Sequence, residues 1–351
     1  MSIPSIVVYY HSPCHDGFLA QLIIQRALSK FTKVSTIPLS HGSKRTWDVG
    51  VIVEQSLVLF VDIAPHQEML SELTASDNVT EIQVWDHHID YRTSYGDLVW
   101  TNCEMPHHFH ARFELAGANS KTTLVFSNDI SGSRLAPVAA GFWLTRNIEL
   151  LVSNGFDRGE VQAAIDHVSV NVYEHPIVQH ASDYDTWQKK LPHTDAVFAY
   201  YRNYKYDDVD RWHKLLDRIT DFDSPGYRDI VMKGEAMLEA MTSLAEKLCN
   251  SDTPKPMSLT IDGVTYNGVV TNAYSLLAND VGQIMRERGY DFAIMFNVEP
   301  NVIALSIRSK PGVPSNKIAQ LWGGGGHAGS AGAGITGDAR AEWLNQYVFN
   351  V

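Results

Sequence analysis

Residues 7–18 read VVYYHSPCHDGF. Four strand-forming residues run without a break into His11, and Cys14, His15 and Asp16 follow before Gly17. Branched and aromatic residues favour a buried, pleated strand. Imidazoles and carboxylates belong at the end of such a strand only where a partner offsets their desolvation. Two more apolar runs end in the same way: LVLFVD (57–62) stops at Asp62, and IQVWDHH (82–88) stops at Asp86, His87 and His88. Helical patterns from about Gly17 to Lys30 and from His66 to Leu73 separate these runs. Strands alternating with helices predict an α/β fold, a mainly parallel sheet flanked by helices. The carboxyl ends of parallel strands form the crevice where ligands bind. Three such ends, each bearing ligands, predict a metal site.

Singly, each residue has a plainer reading, since Asp62 after a strand is an ordinary turn or helix cap. The joint occurrence carries the inference. Mixed imidazole and carboxylate donors suit manganese, magnesium or zinc better than copper. Asp62 is the natural bridge between two ions roughly 3.5 to 4 Å apart.

A chain of 351 residues, 44% hydrophobic, exceeds what one core usually organises, so two domains are expected. The first is placed at 1–200, a linker region at 201–230 around the break signal Ser224-Pro225-Gly226, and a smaller α+β domain at 231–351. The stretch SRLAPVAAGFWLTRNIELLV (133–152) reads as a buried helix despite Pro137, within a region (100–175) that is otherwise the least informative. Downstream, Asp262-Gly263 between two alternating runs predicts a hairpin with a type I′ turn. A helix near Leu277 to Arg288, the strands DFAIMFNV and VIALSIRS, and a short helix SNKIAQLW complete the second domain.

The formal charge of −12 argues against a grip on long duplex nucleic acid, which needs a basic surface. It leaves room for a small phosphorylated substrate, because bound divalent ions reverse the local field. There is no apolar run fit to span a bilayer and no basic leader. With an odd, scattered set of three cysteines, a cytoplasmic protein is expected. A homodimer is compatible with everything in the sequence.

These residues resemble the DHH phosphoesterase superfamily, named for the triplet that stands here as Asp86-His87-His88. HSPCHDGF matches its first motif, the strand end at Asp62 its second, WDHH its third, and SDYDTW, with Asp183 and Asp185, its fourth. SIRSK and GGGGHAGSAG near the C-terminus resemble the DHH-associated C-terminal domain of the nuclease-type branch. The resemblance implies two manganese ions, with magnesium or another divalent ion as substitutes. His11 and Asp62 would hold one ion, and Asp16, Asp62, His87 and Asp185 the other. Asp185 is preferred to Asp183 because Thr186-Trp187 resembles the usual continuation, which leaves Asp183 behind the ligands. Asp86, His88 and Arg308 would form the catalytic set, with His88 facing the substrate phosphate. Arg308, Ser309, Gly324, Gly325, Gly326 and His327 would bind substrate, in a cleft between the domains.

One departure falls at Cys14, where the family usually has an aspartate. Either Cys14 ligates as thiolate, or His15 or a water fills the gap, or the first ion binds weakly; the plain alternative is a small buried hydrophobe. The glycine run can cradle a phosphate through its backbone N–H groups, although flexible turns share that composition. His107, His108 and His110 lack the partners of a zinc finger. Trp187, Trp212 and Trp322 read as core or interface anchors.

The implied activity is hydrolysis of phosphodiester bonds in short oligonucleotides or dinucleotides, including those derived from cyclic dinucleotides, to mononucleotides. Competing readings are a phosphatase on small nucleoside bisphosphates or polyphosphate, and a nucleotide-binding module whose catalysis has weakened, as Cys14 would suggest.

Overall fold

In the computed structural model, β1 (Ser5–His11) turns Ile6 and Val8 into one core cluster and Val7 and Tyr9 into another, and all four are buried. The structure describes residues 2–349 except 41–46, 89–94, 97, 106–108 and 110, so His107, His108 and His110 lie outside the described residues. β3 (Ser56–Val61) divides in the same way, with Leu57, Leu59 and Val61 in one cluster and Val58 and Phe60 in the other. Burial on both faces explains why these strands read as unbroken apolar runs. One cluster is closed by α1 (His15–Leu28) and, further along the chain, by α3 (Gly132–Ser153), and the other by α2 (Gln67–Ala75). Pro137 lies buried inside α3, so the long apolar helix forms as expected.

The other strands of this sheet are β2 (Val34–Leu39), β4 (Val79–Asp86), β5 (Thr101–Cys103), β6 (Phe113–Asn119) and β7 (Thr122–Phe126). Their order is β2-β1-β3-β4-β7-β6-β5. The pairs from β2 to β7 are parallel, and the last two are antiparallel. The order reverses between β1 and β3, the switch point at which such sheets bind ligands. β1, β3 and β4 are adjacent, which brings the three polar strand ends together.

Helices α4 (Arg158–Asp166), α5 (Pro176–Asp185), α6 (Thr194–Tyr201), α7 (Val209–Arg218) and α8 (Pro225–Cys249) follow. The segment 201–230, read from sequence as a linker region, is largely helical and buries Tyr201, Tyr204, Trp212, Leu215 and Tyr227 in the first core cluster. Ser224-Pro225-Gly226 begins a helix instead of breaking the chain. The Ser224 hydroxyl accepts the Tyr227 N–H at 3.2 Å, and Pro225 is the first helical residue, where its missing N–H is harmless. The chain divides into two units, Met1–Glu235 and Ala236–Val351, within α8.

The second unit holds β8 (Lys255–Ile261), β9 (Val264–Asn272), β10 (Phe292–Val298), β11 (Val302–Ser309), β12 (Gly325–His327) and β13 (Ser330–Thr336). Their order is β12-β13-β11-β10-β9-β8, and only β9 and β10 pair in parallel. The β8–β9 turn has φ of 51° at Asp262 and 80° at Gly263, the positive pair that a type I′ turn requires. The unit also contains α9 (Ala278–Glu287), α10 (Ser315–Gln320) and α11 (Ala339–Leu344). Trp343 closes one side of its core, and Trp322 meets Trp343 and Tyr347 edge-on. Trp212 is fully buried, whereas Trp187 is 49% exposed. Among the described residues, no helix is long and apolar enough to cross a membrane.

Candidate metal centre

Asp62 follows β3 in a left-handed conformation, φ 61°, with its N–H held by the Trp85 carbonyl at 3.0 Å. A non-glycine residue held at positive φ marks a place where the surroundings over-determine the backbone. Two glycines make room for it. A Cβ on Gly132 would lie 2.2 Å from Asp62 Cβ, and one on Gly17 would lie 2.3 Å from the His11 carbonyl oxygen and 3.0 Å from Asp62 Oδ2. The first turns of α1 and α3 thus close on this carboxylate.

His87 Nε2 lies 3.0 Å from Asp62 Oδ1 and 3.2 Å from Asp185 Oδ2, while His11 Nδ1 lies 3.4 Å from Asp62 Oδ2. Donor atoms of Asp16, Asp62, His87 and Asp185 all fall within 4.8 Å of one another, as do those of His11, Cys14 and Asp62. Asp62 belongs to both sets. A third set joins Asp62, Asp86, His87 and His88.

Asp16 sits in the first turn of α1, 4% exposed. Its Oδ1 accepts the Ser131 hydroxyl at 2.6 Å and its Oδ2 accepts the Ser133 N–H at 3.1 Å. Burial, and then the charges of Asp62 and Asp185, push its carboxyl well above the ordinary range. Burial would also raise Asp62, but the hydrogen bonds and charges of His11 and His87 outweigh it and hold Asp62 well below that range. Burial opposes a charge on His87 too, yet Asp185 and Asp62 raise its pKa well above that of a free imidazole.

Asp86 is hydrogen-bonded to His88. Its Oδ1 lies 2.7 Å from His88 Nδ1 and accepts the N–H of His87 at 2.7 Å and of His88 at 3.2 Å. Burial works against its charge, and His88 overcomes this to hold the carboxyl below the usual range. His88 in turn is raised by Asp86 against the effect of burial.

Asp183 and Asp185 lie on the last turn of α5 with different tasks. Asp183 accepts the N–H groups of Lys190 and Leu191 at 2.8 and 3.1 Å and the Thr194 hydroxyl at 2.6 Å, so it fixes the turn into α6. Behind it runs a buried chain in which His180 Nδ1 meets Thr194 Oγ1 at 2.9 Å and His180 Nε2 meets the Tyr227 hydroxyl at 2.8 Å. Asp185 is left facing His87.

Cys14 caps the start of α1 without a side-chain capping bond. Burial, then the charges of Asp62, Asp185 and Asp16, push its thiol well above the ordinary value. His15, considered above as a substitute ligand, is not in these donor sets. Its ring packs among Phe198, Tyr201, Tyr206 and Trp212, 5.0 to 6.0 Å between centroids, because the first turn of α1 points it away from Asp62. Ser131, Gly132 and Ser133 escape a reading of strand ends. Their signal is a small-residue N-terminus to a long apolar helix, which does not say what the helix points at.

The residues fit a divalent cation. Asp86 Oδ2 is buried without a hydrogen-bond partner among the described residues, and three carboxylates crowd around one imidazole. Unpartnered charge in a dry site is costly unless cations offset it.

In the second unit, Arg308 is half-buried on β11, with Nε donating to Asn279 Oδ1 at 2.7 Å and Nη1 to the Ile307 carbonyl at 2.9 Å. Gly282 lets it lie close, since a Cβ there would come within 2.6 Å of Arg308 Cβ. Ser309 is 2% exposed, and its hydroxyl donates to the Val313 carbonyl at 2.6 Å and accepts from Ser315 at 2.7 Å. It holds a turn instead of reaching outward. The glycine run is not a free loop: β12 pairs Gly325 with Gly332, Gly326 with Ala331 and His327 with Ser330. Gly324 and Gly326 are needed for that approach, since a Cβ would lie 2.1 Å from the Gly332 oxygen or 2.7 Å from Ala331 Cα, while Gly325 faces open space.

Residues 266–349 match the DHHA1 domain family. No curated protein matches the chain. Among solved structures, the chain is similar to exonuclease RecJ bound to manganese, at 14% identity over 98% of this chain and 88% of that one, with a TM-score of 0.49. An exopolyphosphatase-related protein from Bacteroides fragilis is similar at 13% identity, over 99% and 92%, with a TM-score of 0.44. The pGpG-specific phosphodiesterase PggH from Vibrio cholerae is similar at 12% identity, over 98% and 97%, with a TM-score of 0.37. Residues 266–349 thus form a DHHA1 domain, and it follows an α/β unit whose fourth strand runs into Asp86-His87-His88.

Proposed function

We propose that the protein is a two-manganese phosphodiesterase that hydrolyses short oligonucleotides or dinucleotides, including linearised cyclic dinucleotides, to mononucleotides. The observation that carries this reading is the sharing of Asp62 between two donor sets at adjacent strand ends. Divalent ions held there would supply the charge that polarises a phosphate and the acidity that makes hydroxide from water near neutral pH.

The chain's own residues do the rest. His11 and Asp62 would hold one ion, and Asp16, Asp62, His87 and Asp185 the other. Asp86 orients His88 through Nδ1, so that His88 presents a positive ring to the phosphate as charge develops. Arg308, its guanidinium held by Asn279, pairs with a substrate phosphate. A formal charge of −12 favours short substrates over long duplexes.

The test offers the manganese-loaded protein a dinucleotide, a cyclic dinucleotide, a nucleoside bisphosphate and polyphosphate, beside an Asp62→Ala control. Fastest turnover of the dinucleotide, abolished in the control, is expected. Faster turnover of the bisphosphate or polyphosphate would replace the substrate assignment. Turnover of nothing above the control would reduce the protein to a binding module.

A further inference from the structure

The two donor sets differ in chemical hardness. One offers three carboxylates and an imidazole, the other an imidazole, a carboxylate and the sulfur of Cys14. Thiolate favours borderline and soft ions, whereas carboxylate-rich sites suit manganese and magnesium. We propose that Cys14 is a ligand that makes the two metal positions unequal, giving the His11, Cys14 and Asp62 position a preference for thiophilic ions such as zinc over manganese. The inference rests on the metal-centre reading above.

The cysteine does not stand alone. Asp62, with 0% exposure, turns Oδ2 towards His11 Nδ1 at 3.4 Å and so presents a buried carboxylate oxygen to the set that contains the sulfur. The Gly17 N–H faces the sulfur and favours its charged form. The residue beside it cannot take its place, because His15 is packed among aromatic rings. On binding, the thiol releases its proton to solvent and the sulfur donates an electron pair to the ion.

Cobalt(II), a coloured stand-in for zinc, tests this in the intact chain. Titration of metal-free protein is expected to produce a thiolate-to-cobalt charge-transfer band that is lost in Cys14→Ser. The zinc-over-manganese preference should fall at least about tenfold in Cys14→Asp. In the wild-type chain, needing no variant, zinc should protect Cys14 from alkylation at lower concentrations than manganese does, as read by mass spectrometry. A band that persists in Cys14→Ser would place the thiolate at Cys103 or Cys249 and overturn the proposal. Cobalt bound without any band would also overturn it while leaving the metal centre intact, and a chain that binds no divalent ion would remove both.

Discussion

The end of the parallel sheet in the first unit and the glycine element of the second were both read from sequence as binding elements, and the structure uses them differently. At the sheet end, His11, Asp16, Asp62, His87 and Asp185 converge, with three carboxylates around the one His87 imidazole. In the second unit, the Ser309 hydroxyl and the contacts of Gly324 and Gly326 are consumed in holding the sheet and its turns together. Charge buried beyond what the protein can neutralise points outward to a ligand. Glycine and serine do so only when their own packing leaves them unused.

Neighbouring residues with opposite tasks put this contrast at risk. Asp185→Asn should lower kcat/KM by about 10²–10³-fold with little change in Tm. Asp183→Asn should mainly lower Tm, because two backbone N–H groups and a hydroxyl lose their charged acceptor. Thermal unfolding beside steady-state kinetics separates the pair, and a reversed pattern would exchange their roles.

His180 gives the next largest effect. Burial lowers its pKa from 6.5 to about 4. Between those values the unfolded chain binds a proton that the native chain does not, so stability is retained above the unfolded pKa and falls as pH drops from about 6.5 towards 4. The loss is about 3 kcal/mol. His180→Gln should flatten that part of the Tm–pH curve, and an unchanged slope would contradict the assignment.

Ser131→Ala should weaken divalent-metal binding about 10- to 100-fold, measured by calorimetry, because Asp16 loses the hydroxyl that orients it. The smallest effects fall within the glycine run. Gly324→Ala should destabilise by about 1–3 kcal/mol through its clash with Gly332, whereas Gly325→Ala should stay within about 0.5 kcal/mol. Phosphate binding that survived Gly324→Ala with Tm reduced would show the element to be architectural.

Much of this was legible because it is local. The β8–β9 turn, β10, β11 and α9 follow from patterns a few residues long, and the strand ends declared themselves by breaking an apolar run. What escaped depends on distant partners. Ser131 and Ser133 matter because they meet Asp16, more than a hundred residues earlier in the chain. Ser224-Pro225-Gly226 has the same composition as a linker, and only its bond to Tyr227 and the helix that follows distinguish the two. The antiparallel strands β5 and β6 sit in a stretch without clear alternation, completed by pairing with β7.

The central claim is that one carboxylate serves two metal positions. Metal content of the purified, manganese-equilibrated protein tests it most directly. The wild-type chain should hold two ions and Asp62→Ala neither, with the fold intact by circular dichroism. Retention of both ions by Asp62→Ala would contradict the account.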